Sequence, residues 1–257
     1  MLPKKVSDAS SIAEHLTVCY LDAFSGISGD MTVGALVDAG ADMERIDAGL
    51  ASLNTGATVT FEKTMRRGIG ATKFKVLGGE ARAHRHLKQI LQMIDQADLP
   101  DLVKEDASKV FRCLGEAEAA VHNVPIEKVH FHEVGAVDSI CDIVAACLAL
   151  ALLGVDRVYS SAVNVGSGTV ETEHGLLAVP APATARLLLG RPVYSRGPAV
   201  ELTTPTGAAL ACTLARSFGP MPAMKIISSG YGAGDMDFPG HANVLRAIIG
   251  EAMEVAA

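Results

Sequence analysis

The pattern of hydrophobic and polar positions in the first 80 residues predicts that the chain begins with both strands and helices. The apolar run LTVCYLDA at 16–23 is typical of a buried strand, and SGISGDMTVGALVDAG follows it as a glycine-rich turn and a helix that stops at Gly40. A second helix is predicted around 42–53. The next segments, ATVTFEKTM and ATKFKVLG, alternate with period 2 and are joined through RRGIG, which predicts a β-hairpin.

The remaining pattern alternates helical periods with short extended segments. Two helices are predicted near 86–97 and 101–123, and Pro100 starts the second of them. Beyond an extended segment at 129, the predicted helices are 136–153, 180–189 and 205–217, and the predicted strands are 155–163, a short one before 205, 222–228 and NVLRAII. A loop is predicted between the strand at 155–163 and the helix at 180–189. This alternation predicts an α/β or α+β fold, a layered, mixed, partly parallel sheet with helices packed on it.

The domain organisation follows from the same pattern. We expect a flexible N-terminal tail at 1–15 and a single α/β domain at 16–251. The most plausible sub-boundaries lie near 80–85 or 125–129.

Composition narrows the classes of partner. The chain is 49% hydrophobic with mean hydropathy +0.29 and no Trp, which predicts an aliphatic core. A net charge of -7 argues against a nucleic-acid partner, which needs clustered Lys and Arg. The longest apolar run, 143–155, is too short to cross a bilayer, so no membrane partner is expected. Residues 1–20 lack the apolar stretch and cleavage site of a signal peptide, and the five Cys form no C-x-x-C pair, so we expect a cytoplasmic protein with core thiols.

The stretch HFHEVGAVDSICD at 130–142 concentrates metal-binding residue types before an apolar helix. An extended backbone places His130 and His132 on one face, where two imidazoles suit a transition metal. Asp138 and Asp142 are four residues apart on the predicted helix, where like charges repel unless a cation or the helix dipole compensates. Taken singly, Glu133 and Asp138 are more simply helix caps and the histidines half-buried strand residues. Taken together, the five residues favour a site for Ni, Zn, Fe or Mn.

Three further segments carry candidate ligand-binding features, each with a simpler structural explanation. In LDAFSGISGDM, the amides around Ser25, Gly26, Ser28 and Gly29 suit an anion at a helix N-terminus, although a tight turn capped by Ser28 explains the motif equally. In ELTTPTGAAL, Thr204 is the expected cap and Pro205 the first helical residue, which leaves Thr203, Thr206 and free amides for a phosphate or for a plain capped helix. The glycines of SGYGAGDMDFPGHANVLR suggest close backbone approach to a ligand.

Together these motifs resemble the LarC family, the nickel-insertion proteins of the lactate racemase cofactor pathway. The resemblance rests on YLDAFSGISGDM, HFHEVGAVDSICDIV, VGSGTVETEHG, VPAPAT, ELTTPTGAA and GYGAGDMD followed by NVLR, and it runs from about residue 17 to 251. It implies nickel insertion into pyridinium-3,5-bisthiocarboxylic acid mononucleotide, with one Ni–C and two Ni–S bonds formed and CTP hydrolysed.

The resemblance also implies roles for particular residues. Loss of a ring proton during Ni–C bond formation needs a nearby base. The candidate catalytic residues are Asp138, Glu133 and Asp22. The candidate substrate or phosphate ligands are Ser25, Gly26, Ser28, Gly29, Thr204, Thr206, Gly207 and Gly232. The candidate metal ligands are His130, His132, Asp142, Asp30 and His174, and Asp235 matches a later motif.

Two departures from the family pattern shape the expected function. Family members carry a longer histidine-rich run where this chain has only His84 and His86, which alone are more typical of a solvated loop. They also continue into a C-terminal region associated with CTP binding. We therefore expect a homo-oligomeric nickel- and substrate-binding half, with CTP and Mg or Mn supplied through a separate partner chain. The alternatives are a nickel chaperone or cofactor carrier without catalysis, and a metal-dependent phosphate hydrolase.

Overall fold

The structure, a computed structural model, describes residues 16–79, 85–129, 137–172 and 174–253. The strands are β1 (Thr17–Asp22), β2 (Ala57–Arg66), β3 (Ile69–Gly78), β4 (Arg157–Ser160), β5 (Val163–Asn164), β6 (Thr169–Thr172), β7 (Gly175–Ala178), β8 (Val193–Tyr194), β9 (Ala215–Phe218), β10 (Met224–Ala233) and β11 (Val244–Ala252). The helices are α1 (Gly29–Asp38), α2 (Met43–Ala51), α3 (Leu87–Gln96), α4 (Asp101–His122), α5 (Val137–Leu152), α6 (Pro182–Leu187) and α7 (Pro205–Leu214). A 3-10 turn spans Ile126–Lys128.

Seven strands of the described residues form one mixed sheet in the order β2-β3-β10-β11-β1-β4-β9. The strand β1 lies inside this sheet, antiparallel to β11 and parallel to β4. The strand β10 runs antiparallel to β11 and parallel to β3, which forms the predicted hairpin with β2. The pairs β5-β8 and β6-β7 form two-stranded sheets of their own. The predicted layered fold with a mixed sheet is confirmed.

The helices pack in two layers against the sheet. The helix α1 contacts β3, β10 and β11, and α5 packs against α1 and α2. The helix α4 lies further out, against α3, α5, α6 and α7. Most residues of α5 are buried, as expected for a helix that is apolar on nearly all sides. No helix of the described residues is long and apolar enough to cross a membrane.

Glycines bring α1 and β10 into backbone contact. A Cβ atom at Gly232 would lie 1.8 Å from the Met31 carbonyl oxygen, and one at Gly230 would lie 2.2 Å from the Ala39 nitrogen. Any larger residue would therefore push the helix away from the strand. Gly230 and Gly232, in the GYGAG segment whose glycines suggested close approach to a ligand, allow close approach of a helix.

Three predicted elements differ from the structure. The helix predicted at 205–217 ends at Leu214, because the next four residues pair with β4 as β9 and this pairing outweighs helix propensity. The loop predicted between 163 and 180 contains the β6-β7 hairpin, whose turn leads into Gly175 at φ +90°. The strand predicted at 155–163 divides into β4 and β5 around Ser161, whose hydroxyl accepts a hydrogen bond from the Ala23 nitrogen at 2.9 Å.

The close contact of α1 with β10 predicts a large effect of one added methyl group. We expect Gly232→Ala to lower the free energy of unfolding by at least about 3 kcal/mol, because neither backbone can move without breaking hydrogen bonds. Urea unfolding followed by circular dichroism measures the change. The matched control is Gly70→Ala in β3, where an added Cβ meets no atom within 4 Å. Equal stability of the two variants would contradict this account of the packing.

Candidate functional site

The helices α1, α5 and α7 approach one another near their N-termini. The helices α1 and α5 meet where a Cβ at Gly29 would lie 2.4 Å from the Asp142 carboxylate. The helices α1 and α7 meet where a Cβ at Gly207 would lie 2.0 Å from the Ile27 carbonyl oxygen. The helices α5 and α7 are joined by a hydrogen bond from the Thr206 hydroxyl to Ser139 at 3.4 Å. Because helix N-termini carry partial positive charge, this convergence favours anionic groups.

Caps fix the start of two of these helices, as the sequence predicts. The Ser28 hydroxyl accepts a hydrogen bond from the Met31 nitrogen at 3.4 Å and donates one to Asp30 in the first turn of α1. The Thr204 hydroxyl accepts a hydrogen bond from the Gly207 nitrogen at 3.2 Å, and Pro205 is the first residue of α7. The predicted caps at Ser28 and Thr204 are confirmed.

A buried lysine lies between two of the aspartates near these helix ends. The Lys73 ammonium contacts the Asp30 carboxylate and lies 2.8 Å from the Asp235 carboxylate. Its side chain is only 5% exposed, whereas that of Asp235 is 84% exposed. Burial opposes the charge of Lys73, but the attraction of the two carboxylates outweighs it, and the pKa of the ammonium is raised. Lys73 therefore remains charged and neutralises part of the acidic cluster.

Among these acidic residues, the Asp142 carboxyl group is the one whose negative charge is least favourable. Burial raises its pKa well above the ordinary value, and the negative charges of Asp30 and Asp138 raise it further, while Lys73 offsets this only in part. The pKa of Asp138 is also raised by partial desolvation of its carboxyl group, although the residue as a whole is exposed. We name Asp30, Asp138, Asp142, Asp235 and Lys73 the acidic cluster. In this cluster a cation would relieve repulsion that the protein alone leaves unbalanced.

The predicted metal motif lies only partly within the described residues. Asp138 is in the first turn of α5 and Asp142 one turn later, whereas His130, His132 and Glu133 lie outside the described residues, as does His84. Within the described ranges, no group of three or more His, Cys, Asp or Glu side chains is arranged to hold a metal ion. A metal at the acidic cluster therefore requires ligands from beyond these ranges.

The remaining predicted site residues lie in several environments. Asp22 ends β1 and pairs with Arg246 at 2.5 Å. The His174 ring lies in the β6-β7 turn, 4.9 Å from that of His122 at the end of α4. Gly26 (φ +77°) is pressed against the Leu202 carbonyl oxygen, so it serves the turn itself. Ser25 is fully buried, with its hydroxyl 2.8 Å from His241 Nε2.

Sequence reasoning missed Lys73. It lies in the period-2 strand ATKFKVLG, where a polar residue normally faces solvent, and no motif marks it. The sequence carries no signal for its role, which depends on β3 lying beside β10, where Thr72 pairs with Gly232 of the GYGAG motif.

The converging helix N-termini and the clustered carboxylates define an α/β protein that concentrates charged groups at the ends of its helices. A family model described as nickel insertion protein matches residues 19–257. The chain belongs to this nickel insertion protein family, and its resemblance to the LarC family is confirmed.

Similar proteins carry matching names. The chain is 47% identical over 247 residues to the pyridinium-3,5-bisthiocarboxylic acid mononucleotide nickel insertion protein of Geobacillus kaustophilus, covering 92% of this chain and 60% of that protein. It is 46% identical over 239 residues to the protein of the same name from Desulfitobacterium hafniense, covering 92% and 59%. A putative nickel insertion protein of Geobacter sp. strain M21 is 49% identical over 241 residues, covering 93% and 63%. The chain thus spans about three fifths of the length of these relatives. No solved structure matches it.

The raised pKa of Asp142 predicts that its charge destabilises the fold in the absence of a cation. When folding raises the pKa of a carboxyl group, the folded protein loses stability as the pH rises from the pKa in the unfolded state, about 3.9, through the pKa in the folded state. The loss persists at higher pH. We expect Asp142→Asn to be more stable than the wild type at pH 7 with chelator present, and to lose this advantage below about pH 4.

Thermal unfolding at pH 7 and at pH 4 measures this difference. The matched control is Asp47→Asn, the same change at an exposed position of α2 that has no part in the acidic cluster. A lower stability of Asp142→Asn at pH 7 would show that the Asp142 charge is already compensated within the protein.

Proposed function

We propose that this chain is the nickel- and substrate-binding part of an enzyme that inserts nickel into pyridinium-3,5-bisthiocarboxylic acid mononucleotide. The observation that carries the proposal is the acidic cluster at the start of α5, directly after the histidine motif, in a chain of the nickel insertion family. Nickel is the cargo in this reaction. The enzyme would act as a nickel chelatase that forms one Ni–C and two Ni–S bonds.

Nickel capture would use nitrogen and oxygen ligands together. Asp142 and Asp30 supply carboxylates at the cluster, and His130 and His132 are the proposed nitrogen ligands from the motif that precedes α5. This combination suits nickel. Lys73 neutralises part of the same negative charge, which weakens the hold on a divalent cation and so favours its transfer to the substrate.

Ni–C bond formation also needs an acceptor for the ring proton. Asp138 and Asp142 have raised pKa values, and a carboxylate of higher pKa is the better base near neutral pH. Glu133 is the further candidate from the motif, whereas Asp22 is less suited to this role because Arg246 pairs with it.

Anionic groups of the substrate, such as its thiocarboxylates, would bind at the converging helix N-termini. Thr206 is buried at the join of α5 and α7, and Ser28, Gly29, Thr204 and Gly207 surround the same region. Partial positive charge at these termini offers a site for an anion next to the acidic cluster. Ser25, Gly26 and Gly232 would contribute by shaping the turn and the contact of α1 with β10.

The remaining parts of the proposal concern partners and location. CTP, with Mg or Mn, would be bound by a C-terminal CTP-binding region outside this chain's residues, in a separate partner chain. We also propose that the protein acts in the cytoplasm and forms a homo-oligomer.

Nickel titration calorimetry tests the proposed capture site. We expect about one equivalent of nickel to bind the wild type, and both His130→Ala/His132→Ala and Asp30→Asn/Asp142→Asn to weaken the affinity at least 10-fold, since each removes two ligands. Asp47→Asn is the control with an unchanged cluster. If both double variants bind nickel like the wild type, the capture site lies elsewhere.

Reconstitution tests the reaction. We expect the chain with a CTP-binding partner region, nickel, CTP and the pyridinium substrate to form the nickel-containing nucleotide, detected by mass spectrometry and absorbance. Omission of CTP or of nickel is the control. Nickel binding without any product in the complete mixture would favour a nickel carrier without catalysis, and metal-stimulated phosphate release alone would favour a hydrolase.

A further inference from the structure

A cleft beside Phe24, in the β1-α1 turn, has no role so far. It encloses about 660 Å³ between the 194–198 and 238–241 segments, a volume typical of small-molecule sites. Phe24 and Asn164 complete its walls.

Aromatic side chains are concentrated in this cleft. The whole sequence has seven Phe, four Tyr and no Trp, yet Phe24, Tyr194 and Phe238 all line this one cleft. Phe24 and Tyr194 are exposed, at 36% and 37%, although their rings are costly to leave in water. The ring centroids of Phe24 and Phe238 lie 5.8 and 6.1 Å from that of His241, so three rings surround one space. Such walls stack well on a planar ring.

A positive charge without a counter-charge lies beside these rings. Arg196 lines the cleft and is exposed, and no side chain among the described residues pairs with its guanidinium group. Its backbone is nevertheless held firmly: buried Asn164 accepts a hydrogen bond from the Arg196 nitrogen at 3.1 Å and donates one to its carbonyl oxygen at 2.8 Å. A guanidinium group on a fixed backbone suits a carboxylate or phosphate.

The floor of the cleft consists of polar groups that contact one another. The Ser25 hydroxyl, which is buried, lies 2.8 Å from His241 Nε2 and 3.4 Å from Asn243 Oδ1. Gly197, at φ +95°, admits the His241 ring, because a Cβ there would lie 3.1 Å from it. Burial and then the charge of Arg196 lower the pKa of His241, so the ring is neutral near pH 7 and adds no charge of its own.

One hydrogen bond and two short chain segments connect this floor to the acidic cluster. Asn243 donates a hydrogen bond to the Met236 carbonyl oxygen at 2.8 Å, and the adjacent Asp235 contacts Lys73. On the other side of the same turn, Ser25 is only five residues before Asp30. The base of the cleft is therefore linked to the acidic cluster through both of these segments.

We propose that this cleft binds a nucleotide, with its aromatic ring stacked among Phe24, Phe238 and His241 and its phosphate paired with Arg196. The pyridinium mononucleotide is the favoured ligand, and that choice rests on the proposed function. CTP has the same general chemistry, but its triphosphate needs more positive charge than the single Arg side chain lining this cleft provides.

Binding of nicotinate mononucleotide to the full chain, with chelator present, tests the assignment. This probe has a pyridinium ring and one phosphate but no sulfur, so the measurement does not depend on nickel or on turnover. We expect Arg196→Gln to weaken binding about 10-fold or more, because a charge-assisted contact is lost, and Phe24→Leu to weaken it through lost stacking. The control is Arg216→Gln, the same change at an exposed site on β9 outside the cleft.

Each outcome decides the proposal. Failure of the wild type to bind the probe, or equal binding by Arg196→Gln and the wild type, would overturn it, and thermal unfolding of each variant excludes misfolding as the cause. Tighter binding of CTP than of the probe, lost in Arg196→Gln, would overturn the choice of the mononucleotide. If the probe binds as expected but reconstitution gives no nickel-containing product, the cleft assignment stands and the proposed function fails. If product forms and Arg196→Gln leaves the KM for the mononucleotide unchanged, the cleft assignment alone fails.

Discussion

The backbone contact between α1 and β10 is the constraint on which the rest of this structure depends. Glycine at 230 and 232 lets the helix lie directly on the strand, with no side chain between them. This proximity positions the start of α1, and with it Asp30 and the preceding turn, against the neighbouring strand β3 that carries Lys73. Close-packed interiors accommodate added atoms poorly, so the site geometry is tied to two residues that no ligand need touch.

The acidic cluster combines carboxylates that repel one another with a single lysine that compensates only part of their charge. Four uncompensated aspartates near one another would repel strongly. If their negative charge were fully compensated, they would not attract a cation. Lys73 lies between these limits, since it pairs with Asp30 and Asp235 but leaves the Asp142 carboxyl group with a raised pKa. The remaining imbalance is an electrostatic preference for an additional positive charge at the start of α5.

Much of the fold and part of the site were predictable from sequence, and the difference has physical causes. Caps are local, so Ser28 and Thr204 could be identified from their immediate neighbours. The end of α7 was wrong because the state of 215–218 is decided by pairing with β4, a contact that local propensity does not contain. Lys73 and Arg196 were missed for the same reason: a strand residue and a loop residue acquire their roles only from segments far away in sequence. The roles of His130, His132 and Glu133 remain predictions, because they lie outside the described residues.

The pairing of β1 with β11 has a consequence for biosynthesis. Asp22 meets Arg246 across 224 positions of sequence, and Thr17 is in register with Glu251. The strand that leads into the β1-α1 turn is thus flanked on one side by a strand that is synthesised more than 200 residues later. Contacts of such long sequence separation slow folding, and the early strand must wait with an unpaired edge while more than 200 residues are synthesised. The acidic cluster and the aromatic cleft can therefore assemble only after translation has passed β11, which keeps partly made chains from presenting a finished site.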